Sequence, residues 1–254
     1  MKRTRIFLIG AVLLATFAAL PGYGQATAKA AVSSKDALAV LNKMIEALGG
    51  RKALEAVKDT TMAGTVEITQ YGITAPLTIY AKEPNKVRVD VTIAEANITI
   101  TQAYNGEKGW ITNPQAGTTE EMPDFMIKQF AREAMGNMAF LDPQKAGITY
   151  ALKPKAAIDG KEYIVLEQTY ADGYEATLFL DPVTYLPYKE QGITFDQNGA
   201  EADTQTFPSD YRKVGGMMIA HAQRVVQNGS EAQRITITSV TFNTNLDDAF
   251  FILK

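Results

Sequence analysis

From Thr60 onward the chain alternates apolar and polar residues with a period of two, and this alternation most constrains the fold. Val66 and Ile68 alternate with Thr65, Glu67 and Thr69. Leu77 and Ile79 alternate with Thr78 and Tyr80. Val87, Val89, Val91 and Ile93 alternate with Arg88, Asp90 and Thr92, and Ile98 and Ile100 alternate with Thr99 and Thr101. Successive side chains of a strand point to opposite faces, so each segment makes one apolar and one wet face, as antiparallel strands do. Turn signals separate the segments at Tyr71-Gly72, Glu83-Pro84-Asn85, Glu95-Ala96-Asn97 and Asn105-Gly106. Asp159-Gly160, Asp172-Gly173, Asp181-Pro182, Asn198-Gly199, Gly215-Gly216 and Asn228-Gly229 continue the punctuation. The spacing predicts about eleven strands in a meander. A phase slip near Ser239 predicts a bulge in the last of them.

One of these turns tests whether the chain carries an active-site loop. Residues 180–191 read LDPVTYLPYKEQ. Pro182 has the fixed φ and missing donor of a turn's first central position, and Asp181 before it can accept from N–H groups two residues on. Asp181 is read as a turn carboxylate between two strands.

Two helical stretches interrupt the period. Over Ser33 to Leu48, the residues Leu38, Leu41, Met44, Ile45 and Leu48 recur at three- and four-residue steps and share one face. Ser33 or Ser34 caps the start, Asp36 suits the first turn, and Gly49-Gly50 ends it. A short helix over 51–57 follows. Thr119 to Asn137 is the second stretch, with Pro123 near its start and Met122, Phe125, Met126, Phe130 and Ala134 on one side.

The first 28 residues have the form of a secretory signal. Lys2, Arg3 and Arg5 precede an apolar run from Ile6 to Leu20, and small residues follow at Gly22, Gly24, Ala26 and Ala28. About 20 residues are needed to span a bilayer, and this run is shorter. The expected product is a periplasmic chain of residues 29–254 forming one domain, with no Pro/Ser-rich linker to divide it. The sequence has no cysteine, which excludes disulfides, thiolate metal sites and a lipidated N-terminal Cys. Removing Lys2, Arg3 and Arg5 takes the formal net charge from −3 to −6. A mildly acidic chain without a basic cluster suits neither nucleic acid nor an anionic membrane surface.

No constellation for catalysis emerges, and no cofactor or metal is implied. His221 is the only histidine and falls within a strand segment, so a metal cluster or a triad built on it lacks partners. The carboxylate pairs Glu120-Glu121 and Asp247-Asp248 sit where capping explains them. Gly215-Gly216 lacks the Lys-Ser/Thr of a phosphate loop. More telling is the second helical region, where Met122, Met126, Met135 and Met138 gather with Phe125, Phe130 and Phe140. Such side chains either fill a core or adapt to varied apolar guests.

Three stretches in order carry a family likeness. Lys82-Glu83-Pro84-Asn85-Lys86-Val87-Arg88 links two strands, and Tyr104-Asn105-Gly106-Glu107-Lys108-Gly109-Trp110-Ile111-Thr112-Asn113-Pro114 follows the fourth. LDPVTYLPYKEQ completes the set. After a signal sequence and an amphipathic helix, this order resembles the LolA-like outer-membrane lipoprotein-sorting family. The segment from Phe207 to Gly216, FPSDYRKVGG, is similar to its stand-alone branch rather than to the dedicated carriers. The resemblance implies a mainly β fold with helices, an unclosed antiparallel barrel whose concave face is lidded and holds acyl chains, lipids or lipoproteins. In the dedicated carriers an arginine tied to lid control precedes the Pro-Asn of the first stretch, whereas this chain has Glu83 there.

The expected ligand surface combines Val87, Val89, Ile98, Ile100 and Trp110 on the strands with Met122, Phe125, Met126 and Phe130 on the lid. On that reading Phe130→Ala weakens acyl-ligand binding and costs less stability than a close-packed core Phe. Three function classes follow: an envelope carrier of lipids or lipidated proteins that partners a membrane protein; an interaction module or accessory of an exported protease or transporter, with the concave face filled by its own side chains; and an enzyme. A carrier should hold an apolar cavity of a few hundred Å³.

Overall fold

The computed structural model describes residues 33–94, 97–114, 116–196 and 199–253. The expected signal sequence and its cleavage site lie outside these residues, as do parts of the turns at 95–97 and 198–199.

Helix α1 (Lys35–Ala47) starts where Ser34 caps it, the Ala37 N–H donating to Ser34 Oγ at 3.1 Å. Gly49 and Gly50 end it at positive φ. A Cβ on Gly49 would stand 2.8 Å from the Gly216 carbonyl oxygen, so only glycine lets the helix end meet the sheet there. Helix α2 (Arg51–Glu55) follows at once.

The first half of the sheet comprises β1 (Asp59–Ile68), β2 (Ile73–Lys82), β3 (Lys86–Ile93), β4 (Ile98–Tyr104), β5 (Gly109–Asn113) and β6 (Thr118–Glu121). Helices α3 (Asp124–Glu133) and α4 (Met138–Leu141) separate it from the second half. That half runs through β7 (Thr149–Ile158), β8 (Lys161–Thr169), β9 (Glu175–Leu180), β10 (Pro187–Phe195), β11 (Glu201–Val214), β12 (Met217–Gln227) and β13 (Ser230–Phe242). All thirteen strands form one antiparallel sheet in the order β6-β5-β4-β3-β2-β1-β13-β12-β11-β10-β9-β8-β7. Each half is a meander, and β1 pairs with β13 at the centre. β6 and β7 are unpaired edges, so the barrel is not closed.

One of the two strands beyond the expected eleven appears because the second helical stretch is shorter than its apolar pattern suggested. Thr118–Glu121 is edge strand β6 on β5, and Pro123 stands as the N-cap in extended conformation before α3. The expected bulge is present. Register slips where Ala63 faces Ser239 and Gly64 faces Ile237, and a Cβ on Gly64 would lie 1.9 Å from the Thr236 carbonyl oxygen.

Two cores lie on the inner face. Over the first half, Val66, Leu77, Val87, Val89, Val91, Ile235 and Ile237 pack with Met126 and Phe130 of α3. Over the second, Leu41, Met44 and Ile45 of α1 pack with Tyr150, Leu166, Leu178 and Leu180. Part of the outer face is also covered. A C-terminal 3-10 turn (Asp248–Phe251) lays Phe250 against Tyr80 at 4.8 Å and under the Arg88 guanidinium at 4.2 Å.

Asp59 ties this C-terminal segment to the start of β1. Its carboxylate accepts from the Thr244 N–H at 2.7 Å, Thr244 Oγ1 at 2.9 Å, and the Asn245 and Leu246 N–H groups at 2.9 and 3.3 Å. Burial pushes its pKa up, but these bonds together outweigh it and hold the pKa below the ordinary carboxylate value.

The turn at 181–186 is the hinge expected of it. Asp181 Oδ1 accepts from the Val183 and Thr184 N–H groups at 2.9 and 2.8 Å, and Oδ2 meets Lys161 Nζ at 2.5 Å. The Lys161 ammonium, then these N–H groups, hold the carboxyl well below the usual range. Its contribution is therefore present above the unfolded-state value of 3.8 and fades as pH falls below it. Asp181→Asn keeps the Oδ1 acceptor and loses the ion pair, for an expected cost of about 0.5–1.5 kcal/mol in a urea melt at neutral pH. Ligand binding by the folded variant should match the wild type.

Candidate ligand-binding site

The two predicted halves of the ligand surface meet. β3 buries Val87, Val89, Val91 and Ile93 and turns Lys86, Arg88, Asp90 and Thr92 the other way. On that inner face Val87 and Val89 share one cluster with Met122, Met126 and Phe130, and Phe125 packs against its margin. Phe130 has 0 % of its surface exposed and Val89 1 %, so this part of the concave face is closely filled. Ile98 and Ile100 lie on the same face, opposite Ile93 and Val91, but outside that cluster. Trp110 does not join them. Ile111 opposes Gln102, which opposes Val89, whereas Trp110 opposes Ala103, which opposes Arg88 on the outer face. The Gly109 before Trp110 is buried because Met122 lies against it, with Sδ 2.6 Å from where a Cβ would stand. Gly109 is thus the inner-face contact that precedes the outward tryptophan.

The open space is over the other half. A cavity of about 730 Å³ is bounded by α1, α2, α4, the start of β7 and the β8–β9 turn. Leu38, Leu41, Phe140, Leu141, Ile148 and Tyr170 supply its apolar walls. The volume falls in the range that holds a small ligand. Leu38 belongs to the apolar stripe of α1 but is 36 % exposed, because the helix meets this space there and not packed sheet. None of the nine predicted residues borders it. The helical stripe and Phe140 were visible in the sequence; what hid the cavity is that β7, β8 and α4 come together only through the sheet order.

Polar contacts fasten the helices over the sheet. Glu83, on the β2–β3 turn, reaches the α3–α4 junction, where the Asn137 N–H donates to its Oε1 at 3.2 Å. Burial raises its pKa, partly offset by that bond and by Lys58. Arg132 of α3 is buried, pairs with Asp172 in the β8–β9 turn and lies 4.5 Å over the Tyr174 ring. The helix covering the first core is thereby bound to the turn that borders the cavity.

The remaining candidates for chemistry have structural partners. His221 is buried in β12 with Nδ1 2.9 Å from the Ile237 carbonyl oxygen. Glu121 pairs with Lys108 at 3.3 Å, Asp247 caps the 3-10 turn through the Ala249 N–H, and Asp248 pairs with Lys82 at 2.5 Å. Among the described residues, no cluster of acidic residues and histidine is placed to hold a metal ion. No helix among them is long and apolar enough to cross a membrane.

No family model and no curated protein matches the chain. Solved structures do match. A Vibrio parahaemolyticus domain named for outer membrane lipoprotein sorting superposes with a TM-score of 0.58 at 14 % identity, covering 85 % of this chain and 96 % of that one. A LolA superfamily protein from Nitrosomonas europaea gives 0.58 at 15 % identity, over 88 % of this chain and 99 % of its own. A DUF1329 family protein from Desulfovibrio piger gives 0.58 at 15 % identity, over 86 % and 98 %. The chain has a LolA-like fold.

Proposed function

We propose that this chain is an envelope binding protein that carries lipids or lipidated proteins, holding an apolar chain between its concave sheet and the helices over it, without catalysis. The observation that carries this reading is the 730 Å³ cavity beneath α1 and α4, open space of ligand size beside a closely filled α3 face. The LolA-like fold supports it, as does the N-terminal sequence, which we read as a signal peptide over residues 1–28 directing a single periplasmic domain over 29–254. Delivery of such cargo would call for a membrane protein of the envelope as partner.

Leu38→Trp tests the site. Leu38 borders the cavity and is partly exposed, so an indole fits without displacing a buried neighbour and takes up ligand space. Affinity for a fluorescent acyl-chain probe should fall tenfold or more, with the melting temperature within about 2 °C of wild type, since exposed substitutions change stability little. Unchanged affinity would remove the cavity from the argument.

One observation favours a second reading. The α3 face of the sheet is filled by the chain's own side chains, as expected of an interaction module. Under the carrier reading, a ligand surface of Val87, Val89, Ile98, Ile100, Met122, Phe125, Met126 and Phe130 would require α3 to move off this packed face.

A further inference from the structure

Glu190 lies in the middle of β10 on the inner face, directly opposite Leu178 of the second core and opposite buried Thr206 on β11. Its Oε1 is out of contact with solvent and has no hydrogen-bond partner. Burial alone drives its pKa well above the ordinary carboxylate range, yet the residue as a whole retains some accessible surface. The neighbouring row of the sheet runs Gly192, Ala176, Gln168, Tyr150, so the two strand positions nearest Glu190 carry almost no side chain.

No group around it donates a hydrogen bond to Oε1. Tyr150, Tyr170 and Tyr211 all feel its charge, which adds to burial in raising each phenol. Tyr150 Oη already donates to the Ala139 carbonyl oxygen at 3.2 Å, and Tyr211 Oη to that of Pro187 at 2.9 Å. Tyr170 Oη accepts from Gln168 Nε2 at 2.9 Å, and its own O–H makes no hydrogen bond to Glu190 Oε1. Arg132, whose charge acts on Tyr170, turns one terminal nitrogen to Asp172. A buried acceptor without a donor costs free energy that an apolar residue of equal size would avoid. Tyr170 is at once a neighbour of this carboxyl and a wall of the cavity beneath α1 and α4.

We propose that Glu190 receives the hydrogen-bond-donating head group, an ammonium or a hydroxyl, of a single-chain amphiphile whose tail lies along the Tyr170 side of the cavity. This rests on the reading of that cavity as a chain-binding site. An ammonium head favours Glu190 as the carboxylate and so lowers the pKa that burial raises, whereas a hydroxyl head brings no charge to do so.

Titration calorimetry with dodecylamine, dodecanol and methyl dodecanoate, which share a chain and differ in head group, separates the possibilities. At least one donor-bearing ligand should bind wild type tenfold or more tightly than the ester. Glu190→Leu should abolish that preference. Glu190→Gln, which keeps an acceptor but no charge, should retain a preference for the alcohol and lose one for the amine. Repeating the amine titration in buffers of different ionisation enthalpy should show net proton release in wild type that is absent in Glu190→Gln. Ester binding with no head-group preference in wild type, or a preference that survives in Glu190→Leu, overturns the role of Glu190 and leaves the chain-binding reading standing. If no ligand binds wild type, the chain-binding reading falls, and this one with it.

Discussion

Replacing Phe130 by alanine is expected to destabilise the protein by about 3–5 kcal/mol, the range for a fully enclosed Phe whose neighbours relax only in part. Phe130 has no exposed surface and packs with Met122, Met126, Val87 and Val89 across α3 and β3. From its sequence alone, a lid facing a ligand-sized space would leave the phenyl ring incompletely packed and the penalty smaller. The close packing of the α3 face reverses that expectation. A urea melt measures the cost, and an acyl-chain probe titrated into the folded fraction measures the second half of the question. If the chain sits beneath α1 and α4, affinity should change less than about twofold. A loss of about 1–3 kcal/mol in binding would instead place the chain under α3, since that is the scale of one buried apolar side chain.

Asp59→Ala should be nearly as damaging, at about 2–4 kcal/mol. Hydrogen bonds to a charged acceptor are each worth about 1.5–3 kcal/mol, and three backbone N–H groups plus a hydroxyl converge on this one carboxylate. The sum is not additive, because water reaches part of the released segment. Asp59→Asn should fall between the two, keeping one acceptor oxygen. The folded pKa lies below the unfolded value of 3.8, so the wild-type advantage should be complete above that pH and shrink as pH falls below it. Melts of wild type and Asp59→Ala at pH 7 and pH 3 should therefore converge at the lower pH; an undiminished gap would mean the charge contributes little.

The sequence revealed the strands more clearly than the site. β3 alternates without exception, and its buried positions in the structure are Val87, Val89, Val91 and Ile93, as the alternation requires. The first helix and its Gly49-Gly50 stop were equally plain, and of the two serines that could cap it the structure uses Ser34. The strand Thr118–Glu121 was not, because four residues with a Glu pair at the end of an apolar helical pattern give period-two statistics no purchase. Glu190 was hidden for a related reason. It lies in Lys189-Glu190-Gln191, three polar residues in succession, and only the pairing of Glu190 with Leu178 says which of them points inward. The cavity belongs to a third class: its walls come from α1, α4, β7 and the β8–β9 turn, and nothing local brings these together.

The pairing of β1 with β13 also fixes the sequence of events in building the molecule. Hairpins from β1 to β6 and from β7 to β13 close over short loops, but Thr60 meets Phe242 only across nearly the whole described chain. Contacts so distant in sequence are slow to form, because the loop entropy must be spent before they give anything back. A chain that emerges amino-end first thus holds one long edge of β1 bare until its final strand arrives. The β1 edge would stay open to any partner able to pair with it, and the knot around Asp59 is the last structural element to be tied. Loss of the final segment would therefore leave two half-sheets with no seam between them.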